Sequence, residues 1–128
     1  MPRTTVEFEV TGWEPADAVE HPDGLVLGRA VVRKVFRGDL DATSVADLLT
    51  VGRGDDGLAY TAIERVEGTF AGRSGTFVIV HGAAEPKPPA RGTIVAGAGT
   101  GDLATLRGTV EIEHDDRGAR FTFDYGMD

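Results

Sequence analysis

Cysteine is absent from all 128 residues, so the chain has no disulfide, no thiolate nucleophile and no thiolate metal ligand. Histidine is scarce. His21, His81 and His114 are far apart, and no HExxH pair occurs, so no zinc site and no other metal site is expected. No run of about 18 apolar residues exists, which excludes a helical membrane span. The opening MPRTTVEFEV lacks the basic and apolar regions of a signal peptide; with the missing cysteines, this leads to the expectation of a cytoplasmic protein. Positive charge is also in short supply: 13 Lys and Arg stand against 21 Asp and Glu, a formal net charge of −8, which argues against sequence-independent nucleic-acid binding. Long amphipathic helical patterns are missing as well.

What is present is a β pattern. Hydrophobic content is 41% and charged content 27%, ordinary for a globular protein, and the length suits one domain over residues 1–128. Eighteen glycines point to many turns and bulges. In TTVEFEVTGW, Val6, Phe8 and Val10 alternate with Thr5, Glu7 and Glu9. LVLGRAVVRKVFRG has an even face of Val26, Gly28, Ala30, Val32 and Phe36 with Lys34 as its one charge, while Arg29, Arg33 and Arg37 lie on the odd face. The even face is read as inward. DATSVADLLTVG is ambiguous between a short helix and a strand; its Val and Thr content and the RGDDG turn after it favour a strand. AAEPKPPARG, residues 83–92, reads as a loop. In ARFTFDYG, Phe121, Phe123 and Tyr125 share a face. The count comes to about eight short strands, which predicts an all-β closed antiparallel barrel or a sandwich. An eight-stranded barrel has an interior just wide enough for side chains or one small ligand.

The stretch YTAIERVEGTFAGRSGTFVIVHG, residues 60–82, carries the candidate chemistry. With AGRS as a four-residue turn, Glu64 falls opposite His81, and Val66 opposite Ile79. The apolar even face of the first strand holds Tyr60, Ala62, Glu64 and Val66, so Phe77, Ile79 and His81 are expected inside with it. An inward carboxylate is costly unless paired. A paired acid and imidazole in a cavity can move a proton near neutral pH, whereas the same pair in a packed core only holds strand register. Lys34 is a second inward charge, able to pair with Glu64 or polarise a ligand, and Tyr60 is placed to orient a polar group. Trp13 closes the first strand, at the barrel mouth or as a core anchor.

Other motifs are weaker. GAGTG at residues 97–101 lacks the GxxxxGK[ST] pattern and reads as a corner between strands. The paired aspartates of RGDDG and HDDRG could bind calcium weakly, but tight turns need Asp and Gly anyway, so solvated turns are the better reading. No nucleophile elbow is present.

ERVEGTFAGRSGTFVIVHG followed by GAGTGDLATLRG resembles a bacterial family known only as a domain of unknown function, and VRKVFRGDL and FTFDYG extend the resemblance over nearly the whole chain. Such proteins look similar to the allene oxide cyclase and dirigent barrels, whose glycine-rich corner compares with AGAGTGDL here. The resemblance implies an eight-stranded antiparallel barrel with a hydrophobic cavity, often a homo-oligomer. The matching positions with chemistry to offer are Glu64 and His81. The expectation is therefore a small cofactor-free isomerase, cyclase or lyase acting on a hydrophobic small molecule. Glu64 and His81 would be its acid–base pair, and Lys34, Tyr60, Trp13, Phe77 and Ile79 would line the ligand. The alternative is a non-catalytic binding barrel or a structural oligomer.

Overall fold

The protein, described here from a computed structural model over residues 1–84 and 89–128, is built of antiparallel strands. They are β1 (Arg3–Glu20), β2 (Leu25–Arg37), β3 (Leu40–Arg53), β4 (Asp56–Phe70), β5 (Arg73–Ala83), β6 (Ala90–Ile94), β7 (Thr100–Gly101), β8 (Arg107–Asp115) and β9 (Gly118–Gly126). β1 pairs with both β2 and β9, and β4 pairs with β5, so eight strands close into a ring in the order β1-β2-β3-β4-β5-β6-β8-β9. The two-residue β7 pairs with the start of β5 outside that ring. The ambiguous segment 41–52 is strand throughout, within β3, because its even residues Ala42, Ser44 and Ala46 all face the interior. The expected loop over 83–92 is shorter at its C-terminal end: Ala90, Arg91 and Gly92 belong to β6, paired with β8 and, at Arg91 and Gly92, with β5. Residues 85–88 of that stretch lie outside the described residues.

Alternation sorts the side chains as read from the sequence. Ala30, Val32, Lys34 and Phe36 of β2 are buried, and so are Ala62, Glu64, Val66 and Phe70 of β4 and Phe121 and Phe123 of β9. The ring is filled rather than hollow. Phe36, Phe70, Phe77, Phe121 and Phe123 form an aromatic layer of mostly edge-on pairs, with Phe36–Phe121 and Phe70–Phe123 centroids both 5.1 Å apart. Below it, Leu103 and Leu106 tuck under the sheet from the turn that follows the glycine corner. That corner packs backbone against backbone. A Cβ on Gly75 would strike the Thr100 carbonyl and one on Gly99 the Leu103 carbonyl, so neither position has room for a side chain.

The long strands outrun the ring. β1 pairs with β9 only as far as Phe8, and β4 pairs with β5 only from Tyr60 onward. Beyond those points β1 to β4 continue as a four-stranded projection above the mouth of the ring. Val10 and Trp13, on this stretch, are accordingly exposed. The free edge of β1 carries Glu9, Glu14, Pro15, Asp17 and Glu20, charges and a proline that discourage a further strand from adding there.

The β4–β5 hairpin corrects the expected register. The turn is the two-residue Ala71-Gly72, with Phe70 paired to Arg73, so Arg73 and Ser74 are already strand. Glu64 stands opposite Ile79, not His81, and His81 stands opposite Ala62. Both turn residues have positive φ, 50° and 81°, as in the tight turns whose twist matches that of the strands they join. The shift relative to a four-residue loop is two positions, an even number, so every side chain of β5 keeps its face and His81 stays inside.

Ala71 sits in the left-handed region without the side-chain hydrogen bonding that helps asparagine there. Ala71→Asn is expected to raise stability by about 1 kcal/mol in urea unfolding, with no change of secondary structure.

Candidate functional site

Above the aromatic layer, four strands each send one polar group into the interior. Lys34 comes from β2, Ser44 from β3, Glu64 from β4 and His81 from β5, and all four are buried, Glu64 completely. They converge on the Glu64 carboxylate. Oε1 accepts from Lys34 Nζ at 2.9 Å and from His81 Nε2 at 2.7 Å, and Oε2 accepts from the Ser44 hydroxyl at 2.6 Å. The neighbours are small where long side chains must pass. Ala46 lies beside Glu64 and Ala62 beside His81, while a Cβ on Gly92 would come within 2.6 Å of the His81 Cβ. Lys34 Nζ also lies 4.8 Å from the Phe121 ring centroid and 5.0 Å from that of Phe8, faces that attract a cation. Among the described residues no buried side-chain nitrogen or oxygen lacks a partner.

The electrostatics follow from this geometry. Burial alone would raise the Glu64 pKa, but the His81 hydrogen bond, the Lys34 charge and the Ser44 hydrogen bond outweigh it and bring the carboxyl down to about 2. Glu64 is thus ionised at neutral pH and accepts only, so His81 Nε2 carries a proton. The other ring nitrogen, Nδ1, lies 2.9 Å from the Tyr60 hydroxyl. In a neutral imidazole Nδ1 accepts from Tyr60; in an imidazolium it donates to the Tyr60 oxygen. Tyr60 is partly buried, and desolvation followed by the Glu64 charge pushes its pKa up to about 12, which keeps the phenol protonated.

Tyr60 carries the chain outward. It lines an open groove of about 820 Å³ at the mouth, under the projection, together with the apolar Trp13, Val26, Leu48 and Leu58 and the acidic Glu20, Asp55 and Asp56. Of the residues expected to line a ligand, Tyr60 and Trp13 face this groove, and Lys34 lies behind them in the polar cluster. Phe77 and Ile79 are packed in the core and line none of the main grooves among the described residues. Glu64 and His81 meet as expected, but diagonally across β4 and β5 rather than face to face.

Sequence reasoning missed Ser44, the third donor to Glu64, together with the aromatic faces of Phe8 and Phe121 and the space left by Gly92. Ser44 was legible: it is the one hydroxyl on the even face Leu40, Ala42, Ser44, Ala46. Gly92 was not, because its role depends on β6 lying against β5. No group of three His, Cys, Asp or Glu side chains placed to hold a metal occurs among the described residues. In the HDDRG turn, Asp115 takes both guanidinium nitrogens of Arg120, at 3.0 and 2.9 Å.

Residues 4–125 match a family described as a protein of unknown function, DUF3224. The chain belongs to the DUF3224 family. A crystal structure of a DUF3224 protein of unknown function from Shewanella oneidensis MR-1 is 30% identical, aligns over 100% of this chain and 98% of its own, and superposes with a TM-score of 0.88. No curated protein matches. Among the described residues of this DUF3224 chain, no helix is long and apolar enough to cross a membrane.

Removing the Glu64 charge strands Lys34. Glu64→Gln is expected to cost roughly 3–5 kcal/mol in urea unfolding, and Lys34→Met combined with Glu64→Gln is expected to cost less than Glu64→Gln alone. Because the folded pKa of Glu64 lies below its ordinary 4.5, its ionised form favours the folded state above that value. The stability lead of the wild type over Glu64→Gln should therefore hold at neutral pH and shrink as pH falls from about 4.5 towards about 2, read from urea midpoints at each pH.

Proposed function

We propose that this DUF3224 protein is a cofactor-free isomerase, cyclase or lyase with an allene-oxide-cyclase-like barrel, acting in the cytoplasm on a hydrophobic small molecule held at the barrel mouth. One observation carries this reading: the buried chain Lys34–Glu64–His81–Tyr60 ends in a tyrosine that lines the mouth groove. A polar chain serving only the core has no need to surface there.

In this reading Tyr60 is the group that meets the ligand. Held protonated, it donates to an oxygen of the bound molecule, and His81 behind it supplies a proton through Nδ1 as the phenolic proton moves forward. The ligand oxygen gains the phenolic proton, Tyr60 takes the Nδ1 proton, and His81 is left neutral with Nε2–H still on Glu64. Reversal of these transfers restores the starting state. Glu64 and Lys34 are positioning residues: Glu64 orients the imidazole through its bond to Nε2, and Lys34 and Ser44 join that bond in keeping Glu64 ionised. The groove, with Trp13 and Leu58 on its walls, would hold one reactive conformer of the ligand.

A second reading has its own support. The polar cluster is internally satisfied and the ring is filled with side chains, which suits a non-catalytic binding barrel or a structural oligomer. Native mass spectrometry of the purified protein would identify a co-purified molecule, and turnover of that molecule would then be followed. Tyr60→Phe and His81→Asn are each expected to lower turnover by about 10²–10⁴-fold, with Tyr60→Phe leaving the thermal melt nearly unchanged. Full turnover by both variants would rule out the acid–base role; loss of stability without loss of ligand binding in His81→Asn would favour the structural reading.

A further inference from the structure

The outer face of the sheet carries a feature that the mouth does not use. Along β2 to β5 the outward positions should be polar, and near the ring base they mostly are: Thr43, Arg65 and Glu67 face out there, with Val45 a single exposed apolar residue among them. Towards the projection the pattern changes. Leu27 of β2, Leu49 of β3, Ile63 of β4 and Val80 of β5 are 41%, 54%, 59% and 41% exposed. Ile63 pairs directly with Val80, Leu49 lies diagonal to Ile63, and Leu27 diagonal to Leu49, so the four form one continuous apolar band. Two adjoining grooves of about 740 and 420 Å³ run along it. Scattered single apolar residues on a surface are ordinary, but a contiguous band of this kind marks a contact surface.

The charges in the band say what covers it. The charged side chains lining the two grooves are Asp17, Arg29 and Asp47. None of them belongs to an ion pair among the described residues, whereas the neighbouring Arg33, Arg65 and Arg91 each hold a glutamate. Arg29 and Asp47 sit diagonally on β2 and β3, one cation and one anion in a single apolar patch. A patch that contains both members of an ion pair is complementary to itself when turned about a two-fold axis, since Arg29 of each copy then meets Asp47 of the other. A membrane surface would call for cations in excess, and the groove lining carries two acids to one base.

We infer that this face is an isologous dimer interface, occupied by a second copy of the chain, with reciprocal Arg29–Asp47 pairs flanking Leu49, Ile63 and Val80. The first groove shares Thr50, Val51, Ala59, Tyr60 and Ala83 with the mouth groove, so the second copy walls the outer side of the lip on which Tyr60 stands. The inference stands whether or not Tyr60 takes part in chemistry.

Sedimentation of the full chain tests it. The wild type is expected to be a dimer at micromolar concentration. Ile63→Glu, at a position that contributes nothing to the core, should raise the dimer dissociation constant at least about tenfold, with Val80→Glu as a second probe and circular dichroism melts to confirm folding. Arg29→Asp and Asp47→Arg should each weaken the dimer, and the two together should restore it to within about threefold of the wild type. A wild type that stays monomeric at about 100 μM, or a dimer indifferent to both Ile63→Glu and Val80→Glu, overturns the interface. Failure of the double swap to restore association overturns the two-fold arrangement.

Discussion

A carboxylate with no exposed surface cannot stay ionised without local compensation, and the upper half of this molecule is organised around supplying it to Glu64. Three donors on three other strands reach two oxygens, and the fourth strand carries the carboxylate itself. Those donors arrive only if β2, β3, β4 and β5 hold one register, so the cluster and the strand pairing constrain each other. The small residues Ala46, Ala62 and Gly92 belong to the same arrangement, because the long side chains of Lys34, Glu64 and His81 need the volume they leave.

The filled ring changes what a ligand would meet. The aromatic layer and the leucines beneath it leave no lumen beside Phe77 and Ile79, and the accessible space lies higher, where β1 to β4 outrun the ring. Tyr60 stands where the buried polar cluster meets this open groove. The outer band runs from Leu27, on the projection, down to Ile63 and Val80, which pair within the wall of the ring.

Much of the fold and part of the site were legible in the chain. Period-two alternation assigned inward faces on β2 and β4 and put Phe121, Phe123 and Tyr125 on one face of β9, because a strand has only two faces and a buried one must be apolar or paired. It marked Lys34, Glu64 and His81 as the inward polar residues, which they are. Hairpin arithmetic was less secure. AGRS was read as four turn residues, but Ala71 accepts a left-handed conformation and the chain turns in two. The face of His81 survived because the error was even; its opposite partner did not.

Alternation and composition by themselves determined an antiparallel all-β chain, which side chains point inward, and that an acid, a lysine and an imidazole lie among them. These are local properties, written in the two-fold repeat of a strand and in the cost of an unpaired buried charge. Which strands neighbour one another is not local. The registers of β3–β4, β4–β5 and β5–β6 decided that Ser44 reaches Glu64, that Tyr60 rather than Glu64 meets the groove, and that Gly92 lies against His81. Those outcomes depend on the exact register between paired strands, and only the folded sheet fixes it.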